Sequence, residues 1–141
     1  MAIGGGCLCG AVRFAIEAEA PLAARHCWCR VCQYIGAGAG TVNAVFRKDD
    51  VRVEGPMREF VSTADSGSTM YRRFCGECGT PLFAEAEPRP HLLVVRVGAL
   101  DDPGGVKPGA IIWAKSAPEW ACFDPALPRS EAQPPPPPPK A

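Results

Sequence analysis

The sequence predicts a single, mostly β domain whose turns are joined by metal-binding cysteines. Short stretches of alternating apolar and polar residues recur along the chain, which is the pattern of half-buried strands. No long stretch has the helical spacing of apolar residues that marks an amphipathic helix. Seven of the eight cysteines lie in close-spaced sets, and such spacing is typical of metal ligands.

The first third of the chain is predicted to contain a turn, two strands and one helical turn. Glycines permit a tight turn at residues 4–7. The alternation over 11–17 indicates a strand, and a second short strand is predicted over 22–26. One helical turn over 30–35 is expected to end at the glycines of 36–40.

Short strands separated by polar turns are predicted for the rest of the foldable chain. They cover residues 41–46, 51–54, 58–63, 70–74, 81–84, 91–97 and 110–115. The run over 91–97 is almost wholly apolar, so we expect it in the centre of a sheet. Turns are expected at 48–50, 65–68 and 101–109, and a short helical turn at 118–120.

The composition divides the 141 residues into one domain and a tail. Residues 1–128 are predicted to fold as the domain. Residues 129–141 include six consecutive prolines, and we expect them to form neither a core nor a strand ladder. A disordered or polyproline tail in solvent is the favoured interpretation, and docking on an aromatic groove of a partner is the alternative.

Charge and hydropathy exclude several classes of partner. Fifteen basic and fifteen acidic side chains balance, so neither nucleic acid nor an anionic membrane surface is expected as a partner. The apolar runs have the length of strands and are too short for a membrane helix. No signal-peptide pattern begins the chain, and we expect a cytoplasmic protein. In a reducing cytoplasm, dense cysteines indicate metal ligands rather than disulfides.

Two complete cysteine pairs predict a closed structural zinc site. Cys7 and Cys9 form one pair, and Cys75 and Cys78 form the other. Each pair lies on a glycine-containing turn and can supply two corners of a tetrahedron. Together they would provide four thiolates and join the first turn of the domain to its middle, which would stabilise a small domain considerably.

The remaining set, Cys27, Cys29 and Cys32, contains an odd number of ligands. Three protein ligands leave one tetrahedral position open, as in catalytic zinc sites. Alternatively, His26 or Cys122 completes a second structural site, or the set binds no metal. An extended backbone would turn His26 away from its neighbour, and the apolar surroundings of Cys122 suggest a small core residue.

Other candidate residues have weaker patterns. His91 is expected at a strand edge rather than acting as a base. Arg72 and Arg73 precede Cys75 and either offset the charge of a tetrathiolate or lie on the surface. Core packing is the favoured prediction, ahead of a pocket lining, for four aromatic residues: Trp28, Tyr34, Trp113 and Trp120.

Three motifs resemble the glutathione-dependent formaldehyde-activating (CENP-V/GFA) domain family. They are GCLCGAVRF at 6–14, CWCRVC at 27–32 and RFCGECGTPL at 73–82, and AKSAPEW at 114–120 is similar to the family's closing segment. The resemblance extends from residue 4 to about residue 128. It implies an Mss4-like β-tent of small antiparallel sheets held by two zinc ions.

The resemblance also implies roles for individual residues. Cys7, Cys9, Cys75 and Cys78 would hold the structural zinc, and Cys27, Cys29 and Cys32 would hold a catalytic zinc. The implied activity is a carbon–sulfur lyase or synthase reaction that joins glutathione and formaldehyde as S-hydroxymethylglutathione. Trp28 stands where many members have histidine, and an indole neither ligates zinc nor transfers a proton.

Two other classes of function are consistent with the cysteines. A non-catalytic zinc-binding module that binds a protein partner would have both metals fully coordinated. A methionine sulfoxide reductase of related fold would need a reactive cysteine without a metal, and only Cys122 lies outside the three sets. The sequence predicts no oligomeric state.

Overall fold

Between residues 2 and 135, which are the residues that this computed structural model describes, the chain forms ten strands and one short α-helix. The strands are β1 (Ala2–Gly6), β2 (Arg13–Glu17), β3 (Ala23–Cys27), β4 (Thr41–Arg47), β5 (Val51–Glu54), β6 (Met57–Thr63), β7 (Thr69–Cys75), β8 (Pro81–Ala86), β9 (Leu92–Arg96) and β10 (Ala110–Ile112). The helix α1 covers Arg30–Ile35. Single 3-10 turns lie at Lys48–Asp50, Val97–Ala99, Pro103–Gly105 and Ala114–Ser116.

The strands form two sheets. The smaller sheet has the order β1-β2-β5, and the larger has the order β10-β3-β4-β9-β8-β7-β6. Neighbouring strands are antiparallel except for β10 and β3, which run parallel. The predicted mostly β fold class is confirmed. The strand predicted to be central, β9, lies between β4 and β8.

The hydrophobic core lies where the small sheet packs against the large one. In β2 the side chains alternate, so that Phe14 and Ile16 are buried while their neighbours are exposed. Phe14 meets Phe83 of β8 edge to face, with ring centroids 5.1 Å apart. Leu82 and Val95 are fully buried in the same cluster. The period-two pattern of the sequence therefore identifies the core face of β2 correctly.

The prediction of a tight turn at residues 4–7 is wrong, because Gly4–Gly6 belong to β1. The glycines serve close packing instead of a turn. A Cβ atom on Gly5 would overlap the ring of Phe14 and the carbonyl oxygen of Ala99. Only glycine allows β1 to approach these groups so closely.

The final strand is shorter than predicted. β10 ends at Ile112, and Trp113 takes the left-handed backbone conformation with φ of 58°. A strand cannot continue through this conformation, and the chain turns into Ala114–Ser116.

Residues 129–133, which belong to the predicted tail, lie along β10. The backbone N–H of Ser130 donates to the carbonyl of Ile111 over 2.8 Å, and Nε1 of Trp113 donates to Oε1 of Gln133 over 2.9 Å. This part of the chain differs from the expectation of no ladder, because the residues before the prolines keep their N–H groups. The proline run extends beyond the described residues, and the domain boundary at 128 stays a prediction.

None of the helices within residues 2–135 has the length and hydrophobicity needed to span a membrane.

Candidate metal centres and their cavity

The four paired cysteines meet at one edge of the fold. Cys7 and Cys9 follow β1, Cys75 ends β7, and Cys78 lies on the turn before β8. Their Sγ atoms lie within 4.8 Å of one another. The Cys7–Cys9 and Cys9–Cys75 sulfur distances are 3.6 and 3.8 Å. A tetrahedral zinc with bonds of about 2.3 Å would place its sulfurs about 3.8 Å apart, so this cluster fits such an ion.

Backbone donors point at the sulfurs of this four-cysteine cluster. The N–H of Val12 donates to Sγ of Cys7 over 3.2 Å, and the N–H of Cys78 donates to Sγ of Cys75 over 3.4 Å. A hydrogen bond with the hydroxyl of Thr80 lowers the pKa of Cys78 to about 5. The pKa of Cys7 is lowered as well, so both residues favour the thiolate, which is the form that binds a metal. At Cys9 a hydrogen bond with the backbone of Ala11 is outweighed by the neighbouring thiols, and the pKa is raised to about 12.

The second cluster is built by the junction of β3 and α1. Cys27 ends β3, Cys29 is the N-cap of α1, and Cys32 lies in the first turn of the helix. The backbone N–H of Cys32 donates to Sγ of Cys29 over 3.3 Å. All three residues are buried, and their sulfurs lie within 4.8 Å of one another.

Hydrogen bonds among the three sulfurs shift the pKa values of these cysteines in different directions. Hydrogen bonds from Cys27 and Cys29 lower the pKa of Cys32 to about 2. Hydrogen bonds with Cys29 and with Cys32 raise the pKa of Cys27. Three soft sulfur donors in one buried place are suited to zinc or a similar metal.

Neither residue considered as a fourth ligand lies in this three-cysteine cluster. Nε2 of His26 lies 2.7 Å from the carbonyl oxygen of Ala39, in hydrogen-bond contact, and the ring packs on Trp28 with centroids 4.9 Å apart. Cys122 is exposed, and the expectation that it is a core residue is wrong. Within residues 2–135, the closed-site alternative therefore has no support from either side chain.

Three side-chain hydrogen bonds hold α1 in place, and two of them involve residues distant in the sequence, Asp65 and Ser116. Oδ2 of Asp65, in the loop between β6 and β7, accepts from the backbone N–H of Arg30 over 3.0 Å. Nε2 of Gln33 donates to the carbonyls of Trp28 and Ser116 over 2.8 and 2.9 Å. These bonds anchor both ends of the cysteine loop to other parts of the fold.

The three-cysteine cluster lines a cavity of about 130 Å³. Its charged lining residues are Arg25, Asp65, Arg72, Arg89 and Arg96. Four cations therefore face one carboxylate in a protein whose formal net charge is zero. The sequence analysis missed all of these residues except Arg72, because overall charge balance does not reveal a local excess.

Arg96 is the most buried of the four arginines, with 7% of its surface exposed. Its Nη1 donates to Oδ1 of Asn43 over 2.7 Å and to Oγ1 of Thr41 over 3.3 Å. Its Nε has no hydrogen-bond partner among residues 2–135. The positive charge of Arg96 adds to the hydrogen bonds that lower the pKa of Cys32. A signal was present in the sequence, since Arg96 is the one charged residue in the apolar run over 91–97 that ends β9.

Arg72 and Arg73 have different positions from those predicted. Arg72 is 9% exposed, lines the cavity of the three-cysteine cluster and donates to the hydroxyl of Ser62. Arg73 forms ion pairs with Glu59 at 3.0 Å and Glu85 at 3.4 Å. Neither alternative considered for Arg72, a charge role at the four-cysteine cluster or a surface position, describes its place in the structure.

The four aromatic candidates separate into three groups. Trp28 is fully buried and packs edge to face on Trp120 and Phe123, so it is a core residue. Trp113 is buried and lines the cavity. Tyr34 and Trp120 are mostly exposed, in contrast to the core packing expected for them. His91 is exposed as well, and lies just before β9.

The fold and the clusters together define a class of protein, namely a two-sheet β domain with two candidate thiolate metal centres, one beside a cationic cavity. The family model for the glutathione-dependent formaldehyde-activating enzyme matches residues 2–116. The chain belongs to this family.

Two known proteins are similar to the chain. A protein of Halomonas elongata named "Putative glutathione-dependent formaldehyde-activating enzyme" is 27% identical over 125 residues, which are 85% of this chain and 80% of that protein. A crystal structure of a Rhodobacter sphaeroides protein superimposes with a TM-score of 0.55 and 28% identity, covering 70% of this chain and 87% of the other.

Proposed function

We propose that the protein is a zinc-dependent carbon–sulfur lyase or synthase that acts on a small thiol and a small carbonyl such as formaldehyde. In the forward direction the thiol sulfur forms a bond to the carbonyl carbon, and the thiol proton ends on the carbonyl oxygen. The product is an S-hydroxymethyl-type adduct, and the reverse reaction releases the thiol and the carbonyl. The observation that carries the proposal is the set of three buried thiols on the wall of a cavity.

Family membership supports the reaction class, and the donor sets support the metal. Cys7, Cys9, Cys75 and Cys78 would hold a structural zinc, while Cys27, Cys29 and Cys32 would hold the catalytic zinc. When bound at the three-cysteine cluster, zinc would supply an open coordination position and lower the pKa of a thiol placed there.

The chain's own residues prepare the cavity for a negatively charged sulfur. Arg96 and Arg72 lie near the cluster and favour anionic over neutral occupants. Trp28 is packed in the core and takes no part in proton transfer. Addition of a thiol to formaldehyde is chemically easy and needs no dedicated base, so positioning and charge are the tasks left to the protein.

The location and partners follow from the same proposal. Glutathione-type thiols are abundant in the reducing cytoplasm, which is the compartment we propose. The partners would be small molecules rather than a nucleic acid or a membrane.

Metal analysis of Cys29→Ser tests the proposal. We expect the purified variant to lose one of two zinc equivalents while its circular dichroism spectrum stays native, because the four-cysteine cluster is untouched. Cys122→Ser is the matched control, since Cys122 lies outside both clusters and is exposed. Global unfolding of Cys29→Ser would instead indicate a structural role for the three-cysteine cluster.

Cobalt substitution separates the enzyme from a non-catalytic zinc-binding module that binds a protein partner. The proposal predicts that a small thiol, glutathione or another, shifts the visible spectrum of cobalt at the three-cysteine cluster. A spectrum that does not respond to glutathione or to any other small thiol would exclude the proposed reaction and favour the binding module.

A further inference from the structure

We propose that Arg96 and Arg72 form a carboxylate-binding subsite, and that the thiol substrate is therefore a compact mercapto acid whose carboxylate lies close to its sulfur. This inference rests on the proposed function, because it identifies the substrate class of the same cavity. Both arginines line the cavity of the three-cysteine cluster, Arg96 on β9 and Arg72 on β7, the two strands that flank β8 in one sheet.

The first argument is hydrogen-bond capacity. A guanidinium has five N–H donors, and a buried donor without an acceptor is costly. Arg96 uses only Nη1 for side-chain acceptors, on Asn43 and Thr41, and its Nε has no partner among residues 2–135. Arg72 donates to the hydroxyl of Ser62. Planar carboxylates satisfy two guanidinium donors at once, which makes them the matching ligand.

The second argument is charge. A divalent metal with three thiolates carries one net negative charge, and Asp65 adds another. The four arginines of the lining still leave the cavity positive. Asp65 is also engaged by the backbone N–H of Arg30 at the start of α1. A thiol that binds as a thiolate would offset one of the two remaining positive charges, and a carboxylate on the same molecule would offset the other.

The third argument is size. A cavity of about 150 Å³ accommodates a molecule such as benzene, and this cavity has about 130 Å³. Mercaptoacetate has a similar number of heavy atoms, whereas glutathione is several times larger. The sulfur and the carboxylate of one ligand would both lie in this cavity, because the three-cysteine cluster and Arg96 both line it, and a compact mercapto acid meets this requirement.

The rigidity of the subsite supports a recognition role. Arg96 ends β9, and Asn43, its hydrogen-bond partner, is register-paired with it on β4. Arg72 lies in the middle of β7, paired with Phe60 on β6 and Ala84 on β8. Cations held on paired strands keep their geometry when the ligand is absent, and such preorganisation favours binding.

Isothermal titration calorimetry on the zinc-loaded full chain tests the subsite. The probes are mercaptoacetate, the neutral thiol mercaptoethanol, acetate and glutathione. We expect mercaptoacetate to bind at least roughly tenfold more tightly than mercaptoethanol, in line with charge-assisted hydrogen bonds. Arg96→Lys should abolish most of this preference, because lysine lacks the planar pair of donors. Arg52→Lys, at an exposed position of β5, is the matched control and should keep it.

The outcomes separate the subsite from the reaction. Equal affinity for mercaptoacetate and mercaptoethanol, or a preference that Arg96→Lys and Arg72→Lys both leave intact, would overturn the subsite and leave the proposed function standing. Acetate binding that depends on Arg96, with no response to any thiol, would support the subsite and contradict the proposed function. If Arg96→Lys fails to fold, the affinities of mercaptoacetate and mercaptoethanol for the unmodified chain and for Arg72→Lys show whether the subsite exists.

Discussion

Arg96 and Asn43 stand opposite each other on β9 and β4, and Nη1 of the arginine donates to Oδ1 of the amide over 2.7 Å. This pair fixes a buried cation beside the three-cysteine cluster. The side chain of Asn43 also donates to the hydroxyl of Thr41 over 2.9 Å, so the amide connects two of the polar groups around the cluster.

Asn43→Ala should therefore destabilise the protein by about 1.5–3 kcal/mol, the range for a hydrogen bond to a charged group. Chemical denaturation of the zinc-loaded protein measures the change. A double-mutant cycle with Arg96→Ala provides the control, because the two losses should be clearly non-additive if the residues act together. Additive losses would contradict the coupling.

Cys75→Ser should remove the four-cysteine cluster's metal and lower the free energy of unfolding by roughly 4 kcal/mol, the loop-closure entropy of a crosslink over such a span. Cys75 and Cys9 are 66 residues apart in the sequence. Zinc stoichiometry and thermal unfolding provide the measurements, with Cys122→Ser as the matched variant. Unchanged stability of Cys75→Ser would mean that no metal joins these turns.

We expect the ionised carboxylate of Glu85 to stabilise the folded protein at neutral pH but not in acid. Burial opposes its ionisation, but the hydrogen bond and charge of Lys48, at 2.7 Å, together with Arg73, outweigh burial and hold the pKa of Glu85 below its ordinary value of 4.5. A carboxyl with a lowered pKa in the folded state stabilises the fold above the unfolded pKa. This stabilisation is lost as the pH falls through the folded pKa.

Glu85→Gln should accordingly lower the melting temperature more at pH 7 than at pH 3. Glu17→Gln, at an exposed position of β2, reports the effect of removing one negative charge elsewhere. An equal or larger loss at pH 3 would contradict the assignment of Glu85 to this ion-pair network.

A chain that ends at residue 128 should be less stable, by about 1–3 kcal/mol, because it loses the backbone hydrogen bonds along β10. Trp113, which is buried and bonded to Gln133, should become exposed. A red shift of tryptophan emission and a lower melting temperature are the expected results. A chain that ends at residue 135 is the control, and identical spectra for both would place the domain boundary at 128 after all.

The sequence was sufficient for the features that depend on local pattern. Alternation identified β2, the apolar run identified β9, and the spacing of cysteines predicted sets that the structure brings together. Their role as metal ligands stays a prediction, which the metal analyses above address.

The missed features depend on which distant strands become neighbours. Arg96 and Arg72 share a cavity only because the sheet has the order β4-β9-β8-β7, and no local pattern encodes that order. Nearness in the sequence linked Arg72 to Cys75 as one of two alternatives, yet successive residues of a strand point to opposite faces of the sheet. Gly5 was interpreted as a turn residue because the groups that it packs against, the ring of Phe14 and the carbonyl oxygen of Ala99, come from other elements.

The span of the four-cysteine cluster has a consequence for the order in which a nascent chain can acquire metal. Synthesis proceeds from the N-terminus, and Cys7 and Cys9 emerge long before Cys75. Cys27, Cys29 and Cys32 emerge almost together. A metal ion met by the growing chain therefore finds three adjacent thiols at 27–32 while only half of the other centre exists. The four-cysteine cluster is completed second, after translation has passed residue 78.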